Sequence, residues 1–318
     1  MNGSRSVAGR FAPSPTGFLH PGHASSFALA WLSARSQNGS IFLRLENIDD
    51  SRCRPETSTE IKRDLAWLGM DWDGQPLTQT DRLEAHLFAL ETLKKRGTVY
   101  PCTCSRADIV RAASAPQIGE IDSGITRRYP GTCAQRSETE DRDLIAQGIP
   151  FCWRMRTPKN GWPDFVDGLL GKLPGSLADN EGDFVVWRAN KGNQRGGPSY
   201  QLAVVVDDVF QGVTEVVRGD DLLDSTPRQL AIIQELGHSA PKYYHVPLVL
   251  DAEGRRLAKR AGSLSLAQLR AQGISPWVIL GQLAEQWGLN PTACEQTLER
   301  LRAIFCWNQL KPGPWEWR

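Results

Sequence analysis

Residues 7–46 read as a strand, a proline- and glycine-rich loop, a helix and a second strand, and few folds accommodate that order. Val7–Phe11 is apolar and strand-length, and Ala12-Pro-Ser-Pro-Thr-Gly17 is turn-rich. Between about Gly22 and Gln37, Phe27, Ala30, Trp31 and Ala34 recur on one face at helical spacing, and Asn38-Gly39 stops the helix before a strand over Ser40–Glu46. Two strands joined through a helix pair in parallel, because a parallel partner needs a crossover of a dozen or more residues. The chain is therefore expected to be α/β, with a parallel sheet of the Rossmann type.

The junction between the loop and the first helix carries His20-Pro-Gly-His23. Two imidazoles beside a glycine, at a helix N-terminus that attracts anions, suit a polyphosphate whose α-phosphorus is attacked. The bland alternative is a capped loop with two surface histidines. A second basic element, Gly254-Arg-Arg-Leu-Ala-Lys259-Arg260, follows a strand and precedes a helix-forming stretch. By itself it reads as a solvated basic turn; near a triphosphate, its lysine would neutralise a leaving group as a point charge.

Further along, one helix carries Ile61, Leu65 and Leu68, and another is expected to open at Asp81 with Glu84 completing a capping box and to run to Gly97. Around Tyr100 the texture changes to scattered Gly and Pro until about Pro198, suggesting a smaller unit inserted into the first. Regular α/β texture returns with the apolar, strand-length run Leu202–Asp207, then Thr214–Arg218, a helix over Thr226–Gly237 and a strand over Val246–Leu250. After Lys259 the chain reads as mostly helical. The expected division is 1–98 and 199–252 as the two halves of a catalytic core, 99–198 as the insert and 253–318 as the lysine loop with a helical end. Four of the eleven tryptophans (Trp287, Trp307, Trp315 and Trp317) argue for a packed C-terminus.

Composition narrows the setting. The longest apolar runs are strand-length, far short of a bilayer span, and the first residues lack the apolar region of a signal peptide. A cytoplasmic protein without membrane contact is expected, and seven cysteines then read as reduced thiols or metal ligands. Net charge is +1, from 37 basic and 36 acidic residues, so bulk charge gives no sign of nucleic acid and leaves a local basic face open. Cys102, Cys104 and Cys133 lie within the insert, and structural zinc would need a fourth ligand that no neighbouring histidine supplies.

The pair formed by His-x-Gly-His in the first βα turn and a lysine loop after the last strand resembles the class I aminoacyl-tRNA synthetases. Arg10-Phe-Ala-Pro-Ser-Pro-Thr-Gly17, Arg44-Leu-Glu-Asn-Ile-Asp-Asp50, Tyr200-Gln-Leu-Ala-Val-Val-Val-Asp-Asp208 and Val217-Arg-Gly-Asp-Asp-Leu-Leu223 resemble the glutamyl-tRNA synthetase catalytic core. Arg318 comes some fifty residues after the lysine loop, too few for an anticodon-binding domain, so the expected likeness is to the truncated glutamyl-queuosine tRNA(Asp) synthetases.

That resemblance implies ATP with Mg²⁺ and L-glutamate as substrates, tRNA(Asp) carrying queuosine as partner, and a monomer. Glutamate is activated without tRNA and then transferred to the modified base. His20, His23 and Lys259 would be catalytic, and His20, Gly22, His23 and Lys259 would bind ATP. Arg10, Phe11, Ala12, Pro13, Ser14, Glu46, Tyr200 and Arg218 would bind glutamate. That agrees with the need of a zwitterion with two carboxylates for arginine and acid together, although a strand-end Arg–Glu pair is also an ordinary structural ion pair. Asp207, Asp208 and Asp220 could face ATP or Mg²⁺ and are not assigned. Tyr129, in a Cys-x-Cys…Tyr-x₃-Cys pattern, would complete one structural Zn²⁺ site. Ala258 stands where the family's lysine loop commonly has serine. The rival readings are a short synthetase charging the tRNA 3′ end and a non-catalytic, zinc-stabilised RNA-binding paralogue.

Overall fold

A computed structural model of the chain describes residues 6–317 except 50–51, 114–127, 181, 191–195, 252, 255–256, 258–264, 291, 293 and 312. Strands β1 (Ala8–Phe11) and β2 (Ser40–Leu45) pair in parallel, with Arg10 opposite Phe42, and helix α1 (Pro21–Ser36) makes the crossover. The opening unit thus agrees with its sequence reading to within one residue at each end. The expected single apolar face is too narrow, however. Every residue from Ala28 to Ala34 is buried, because α1 is covered on several sides, and a helix enclosed that way needs small or apolar residues all round.

Helix α2 (Pro55–Trp67) adds Ile61 and Leu65 to the core around α1, and β3 (Leu77–Thr78) pairs in parallel with β2. Helix α3 (Leu83–Lys95) starts later than expected, after a 3₁₀ turn over Gln79–Arg82, and the Asp81–Glu84 capping box does not form. That turn is held from outside instead. Asn47 Oδ1 accepts the Thr80 N–H at 3.0 Å, and Asp207 accepts from the Gln79 amide at 3.0 Å.

The next segment contains β4 (Val99–Cys102), α4 (Arg106–Ala113), α5 (Glu138–Ala146), β5 (Cys152–Met155), the hairpin β6 (Phe165–Asp167) and β7 (Gly171–Leu173), β8 (Phe184–Arg188) and β9 (Gly197–Pro198). Strands β4, β5, β8 and β9 form an antiparallel sheet in that order.

Leu202–Asp207, expected in extended form, lies in helix α6 (Tyr200–Phe210), capped by the Ser199 hydroxyl accepting the Leu202 N–H. A short apolar run bounded by turns has no period that separates a strand from an enclosed helix, and Leu202–Val205 is buried throughout. Strand β10 (Glu215–Gly219), helix α7 (Ser225–Leu236), strand β11 (Lys242–Val246) and β12 (Val249–Leu250) follow. Strands β10 and β11 are parallel, and the Thr214 N–H donates to Ala8 O at 2.9 Å, which lays this group beside β1. The β6–β7 hairpin joins the far side of β11, with Asp167 opposite Tyr243.

Helices α8 (Leu266–Ala271), α9 (Pro276–Trp287) and α10 (Leu298–Ile304) lead to β13 (Trp315–Glu316), which pairs in parallel with β12. The expected packed C-terminus is present. Trp287 and Trp315 are buried, and Trp287 Nε1 donates to Ser25 Oγ of α1 at 3.1 Å. Among the described residues, no helix is long and apolar enough to cross a membrane.

Candidate active site

The strands β1, β2, β10 and β11 all deliver their C-terminal ends to one cavity of about 690 Å³, the edge at which parallel α/β sheets take ligands. Its lining brings together Arg10, Ala12, Pro13, Ser14, His20, Gly22, His23, Glu46, Tyr200 and Arg218. Phe11 is not among them. It is the last residue of β1, wholly buried, and its ring lies 5.5 Å from that of Phe27, which does line the cavity. Lys259 and Ala258 lie outside the described residues.

The two histidines form the cap of α1. Gly22 N–H donates to His20 Nδ1 at 3.2 Å, and His20 N–H donates to His23 Nδ1 at 3.2 Å, so orphan amides of the helix start are satisfied by imidazoles. An Nδ1 that accepts leaves the proton of a neutral ring on Nε2, which makes both rings donors at their far nitrogen. The ring centroids are 3.8 Å apart. Capping therefore sets both the tautomer and the position of two N–H groups beside a helix N-terminus.

Four of the buried charges beside the cavity, Arg10, Arg44, Glu46 and Asp208, form one group. Arg44, entirely enclosed, donates to Asp208 Oδ1 at 2.6 Å and to Glu46 Oε1 at 3.0 Å. Arg10 donates from Nη1 to Val217 O at 3.0 Å. Its Nε is buried without a hydrogen-bond partner, 3.6 Å from Asp208 Oδ1. Burial works against the charge on Arg44, but Asp208 and Glu46 outweigh it and hold the guanidinium above its ordinary pKa. For Glu46, burial wins over Arg44 and Arg10, and its pKa lies above the usual carboxylate value. A carboxylate short of stabilisation is one that gains from an incoming ammonium group. Neither Asp207 nor Asp208 lines the cavity. The helix that replaced the expected strand turns Asp208 onto Arg44 and Asp207 onto His86, at 3.1 Å.

Sequence reasoning found Arg218 but not what holds it. Its Nε donates to His245 Nε2 at 3.0 Å, Nη1 to Gln229 Oε1 at 2.7 Å, and Nη2 to Thr226 Oγ1 at 2.7 Å and Leu222 O at 3.3 Å. His245 Nδ1 lies 2.7 Å from Asp167 Oδ2. No spacing signal joins Asp167 to His245, since they meet only where the β6–β7 hairpin docks on β11.

Away from this cavity, at the end of β4, the sulfurs of Cys102, Cys104 and Cys133 lie within 4.8 Å of one another. The Tyr129 hydroxyl is 3.4 Å from Cys102 Sγ and 3.9 Å from Cys104 Sγ, so the four suspected ligands are gathered in one place. Hydrogen bonds from Cys152 first, then Tyr129 and Arg154, bring the Cys102 thiol down to about 4 despite its burial. Three sulfurs and a phenol oxygen at these separations match a tetrahedral ion with metal–sulfur bonds of about 2.3 Å. Cys152 is a neighbour that spacing alone did not point to.

A family model for the catalytic domain of class I tRNA synthetases, E and Q, matches residues 6–308. The chain belongs to that family. Its curated relatives include the glutamyl-Q tRNA(Asp) synthetase of Rhodopirellula baltica, 45% identical over 300 residues that cover 92% of this chain and 89% of the relative. Glutamate–tRNA ligase 1 of Acidithiobacillus ferrooxidans is 37% identical over 87% of this chain but only 56% of its own length. Among solved structures, a glutamate tRNA ligase from Elizabethkingia meningosepticum in complex with its amino acid superimposes with a TM-score of 0.81. The match spans 98% of this chain and 67% of that one, and at 22% identity it shows a shared fold. The synthetase thus has the parallel-sheet catalytic domain that its first forty residues implied.

Proposed function

We propose that the chain activates L-glutamate with ATP and transfers it to queuosine in the anticodon loop of tRNA(Asp). The observation that carries the first half is the cavity itself, which sets Arg10 and Arg218, Glu46 and Tyr200 beside the imidazole-capped start of α1. The arginines suit the two carboxylates of glutamate, and Glu46 suits its α-ammonium. The names of the glutamyl-Q tRNA(Asp) synthetase relatives support queuosine over the 3′ end as acceptor.

In the first step a glutamate carboxylate oxygen bonds to the α-phosphorus of ATP, and the bond to the β-phosphate oxygen breaks, releasing pyrophosphate. His20 and His23 donate Nε2–H groups to the phosphate oxygens as charge develops, and Lys259 neutralises the leaving pyrophosphate, with Mg²⁺ accompanying ATP. In the second step a hydroxyl of the queuosine cyclopentenediol attacks the acyl carbon, the bond to the AMP phosphate oxygen breaks, AMP leaves and the hydroxyl proton passes to water. No protein nucleophile takes part, so positioning and electrostatics carry the reaction.

Glutamate-dependent ATP–pyrophosphate exchange without any tRNA is the expected result, followed by transfer of labelled glutamate to queuosine-bearing tRNA(Asp) but not to the same tRNA lacking queuosine. Exchange that appears only once tRNA is added would favour a charging synthetase. An absence of exchange under either condition would end the catalytic reading.

We also infer a structural zinc ion held by Cys102, Cys104, Cys133 and Tyr129. It would tie the end of β4 to the loop before α5, and a closed ligand set leaves it no part in the chemistry. Metal analysis of the purified chain should give about one zinc per chain, and Cys104→Ser should lose most of it and melt lower. A metal-free wild type with an unchanged melting curve would remove the proposal.

A further inference from the structure

We propose that His245 and Asp167 are positioning residues for amino-acid binding: a neutral His245, fixed by Asp167, holds Arg218 so that its last free N–H is presented to a substrate carboxylate in the cavity. This rests on the reading of the cavity as an amino-acid site and deepens it.

A guanidinium has five N–H groups. Four are committed inside the protein, to His245, Gln229, Thr226 and Leu222. One on Nη1 remains, on a side chain that lines the cavity. With four contacts fixed by buried partners, the direction of the fifth is set before any ligand arrives, which is what makes a single charged donor selective. Three of those partners are ordinary acceptors. His245 is different, because it accepts the Arg218 Nε–H only while its Nε2 carries a lone pair.

Asp167 enforces that state. Its Oδ1 accepts the N–H groups of Leu169 and Leu170, both at 2.9 Å, and its Oδ2 accepts the His245 N–H at 3.0 Å. So oriented, Oδ2 also accepts the proton on Nδ1 at 2.7 Å and leaves Nε2 bare towards Arg218. The Thr226 hydroxyl, 3.1 Å from Nε2, closes the ring of contacts. The Tyr243 ring is nearly parallel to that of His245, with centroids 6.0 Å apart, and also sits under the Arg218 guanidinium at 5.1 Å. The charged groups acting on His245 are Asp167, which favours its protonation, and Arg218 and Arg10, which oppose it. Burial above all, with the arginines on the same side, outweighs Asp167 and keeps the imidazole below its ordinary pKa. A second proton would place an N–H against a guanidinium 3.0 Å away and push Arg218 off its direction. Neither His245 nor Asp167 lines the cavity, so both act through Arg218.

The test is glutamate-dependent ATP–pyrophosphate exchange by wild type, His245→Leu and His245→Gln, with melting curves for each. Loss of one hydrogen bond to a charged group should raise the glutamate KM of His245→Leu about tenfold or more, with the ATP KM within about twofold. Gln offers a carbonyl oxygen towards Nε and no titrating proton. It should recover most of the glutamate affinity and lose the rise in glutamate KM expected of wild type once acid protonates the His245 imidazole. A folded His245→Leu with wild-type glutamate KM, or with both KM values raised alike, would overturn the positioning role. If His245→Leu does not fold, the pH profile of His245→Gln decides, and a profile that still climbs like wild type overturns it. A wild type that shows no glutamate-dependent exchange would instead bring down the amino-acid reading of the cavity.

Discussion

Arg44→Met will destabilise the fold by about 3–5 kcal/mol and abolish glutamate activation. Arg44 is wholly enclosed and sits between Asp208 at 2.6 Å and Glu46 at 3.0 Å, while Arg10 lies 3.6 Å from Asp208. The four charges sum to zero, and removal of one cation leaves two buried carboxylates facing one guanidinium. Methionine fills the volume without repairing that, so the loss reflects stranded charge more than lost packing.

Two consequences distinguish this from a simple cavity. Asp208→Asn in the same chain restores neutrality and should recover part of the stability. The deficit should also depend on pH. Without Arg44 the carboxyl of Glu46, already above its usual value through burial, rises further. A carboxyl whose folded pKa exceeds its unfolded value contributes stability that is present below the unfolded value and lost as pH rises through the folded one. Urea midpoints of Arg44→Met should therefore fall furthest behind wild type at pH 8 and least at pH 5. A deficit that is flat across that range, or smaller than about 1 kcal/mol, would show that these charges do not balance one another.

Arg44 also shows where sequence reading stops. It is the first residue of Arg44-Leu-Glu-Asn-Ile-Asp-Asp50, in which Glu46 ends the expected strand and is implied as a glutamate ligand by the family resemblance. The role of Arg44 depends on Asp208, 164 positions away, which reaches it only because Tyr200–Phe210 is a helix. Three valines in a row carry no period, so by sequence alone that segment reads as extended and its two aspartates stay unassigned. The opening unit was legible for the opposite reason. Its helix is bounded by a proline-rich loop and Asn38-Gly39, and each strand is set off by turns. Contacts between distant segments, such as Asp167 with His245, have no local pattern at all. The thiol cluster lay between these extremes, since spacing gathered Cys102, Cys104 and Cys133 but said nothing of Cys152, opposite Cys102 on β5.

His23→Ala will lower the rate of ATP–pyrophosphate exchange by about a hundredfold to a thousandfold, the usual loss when a donor to developing phosphate charge is removed. In the proposed mechanism His23 performs two tasks at once. Its Nδ1 accepts the His20 N–H and caps α1, and its Nε2–H is the donor that the capping contact fixes in place. Alanine removes both, with about 1 kcal/mol of stability lost through the cap alone. His23→Asn separates them, because an amide oxygen can replace Nδ1 as the acceptor while nothing replaces the donor at Nε2. The asparagine variant should melt close to wild type and remain as slow as the alanine variant, with the loss in kcat and little change in the KM for ATP. Wild-type exchange in either variant would show that the two imidazoles serve the helix and not the phosphates. Recovery of rate together with stability in His23→Asn would assign the catalytic defect of His23→Ala to a displaced helix start. The geometry favours separation, because in each ring the capping nitrogen and the donor nitrogen are different atoms of the same imidazole.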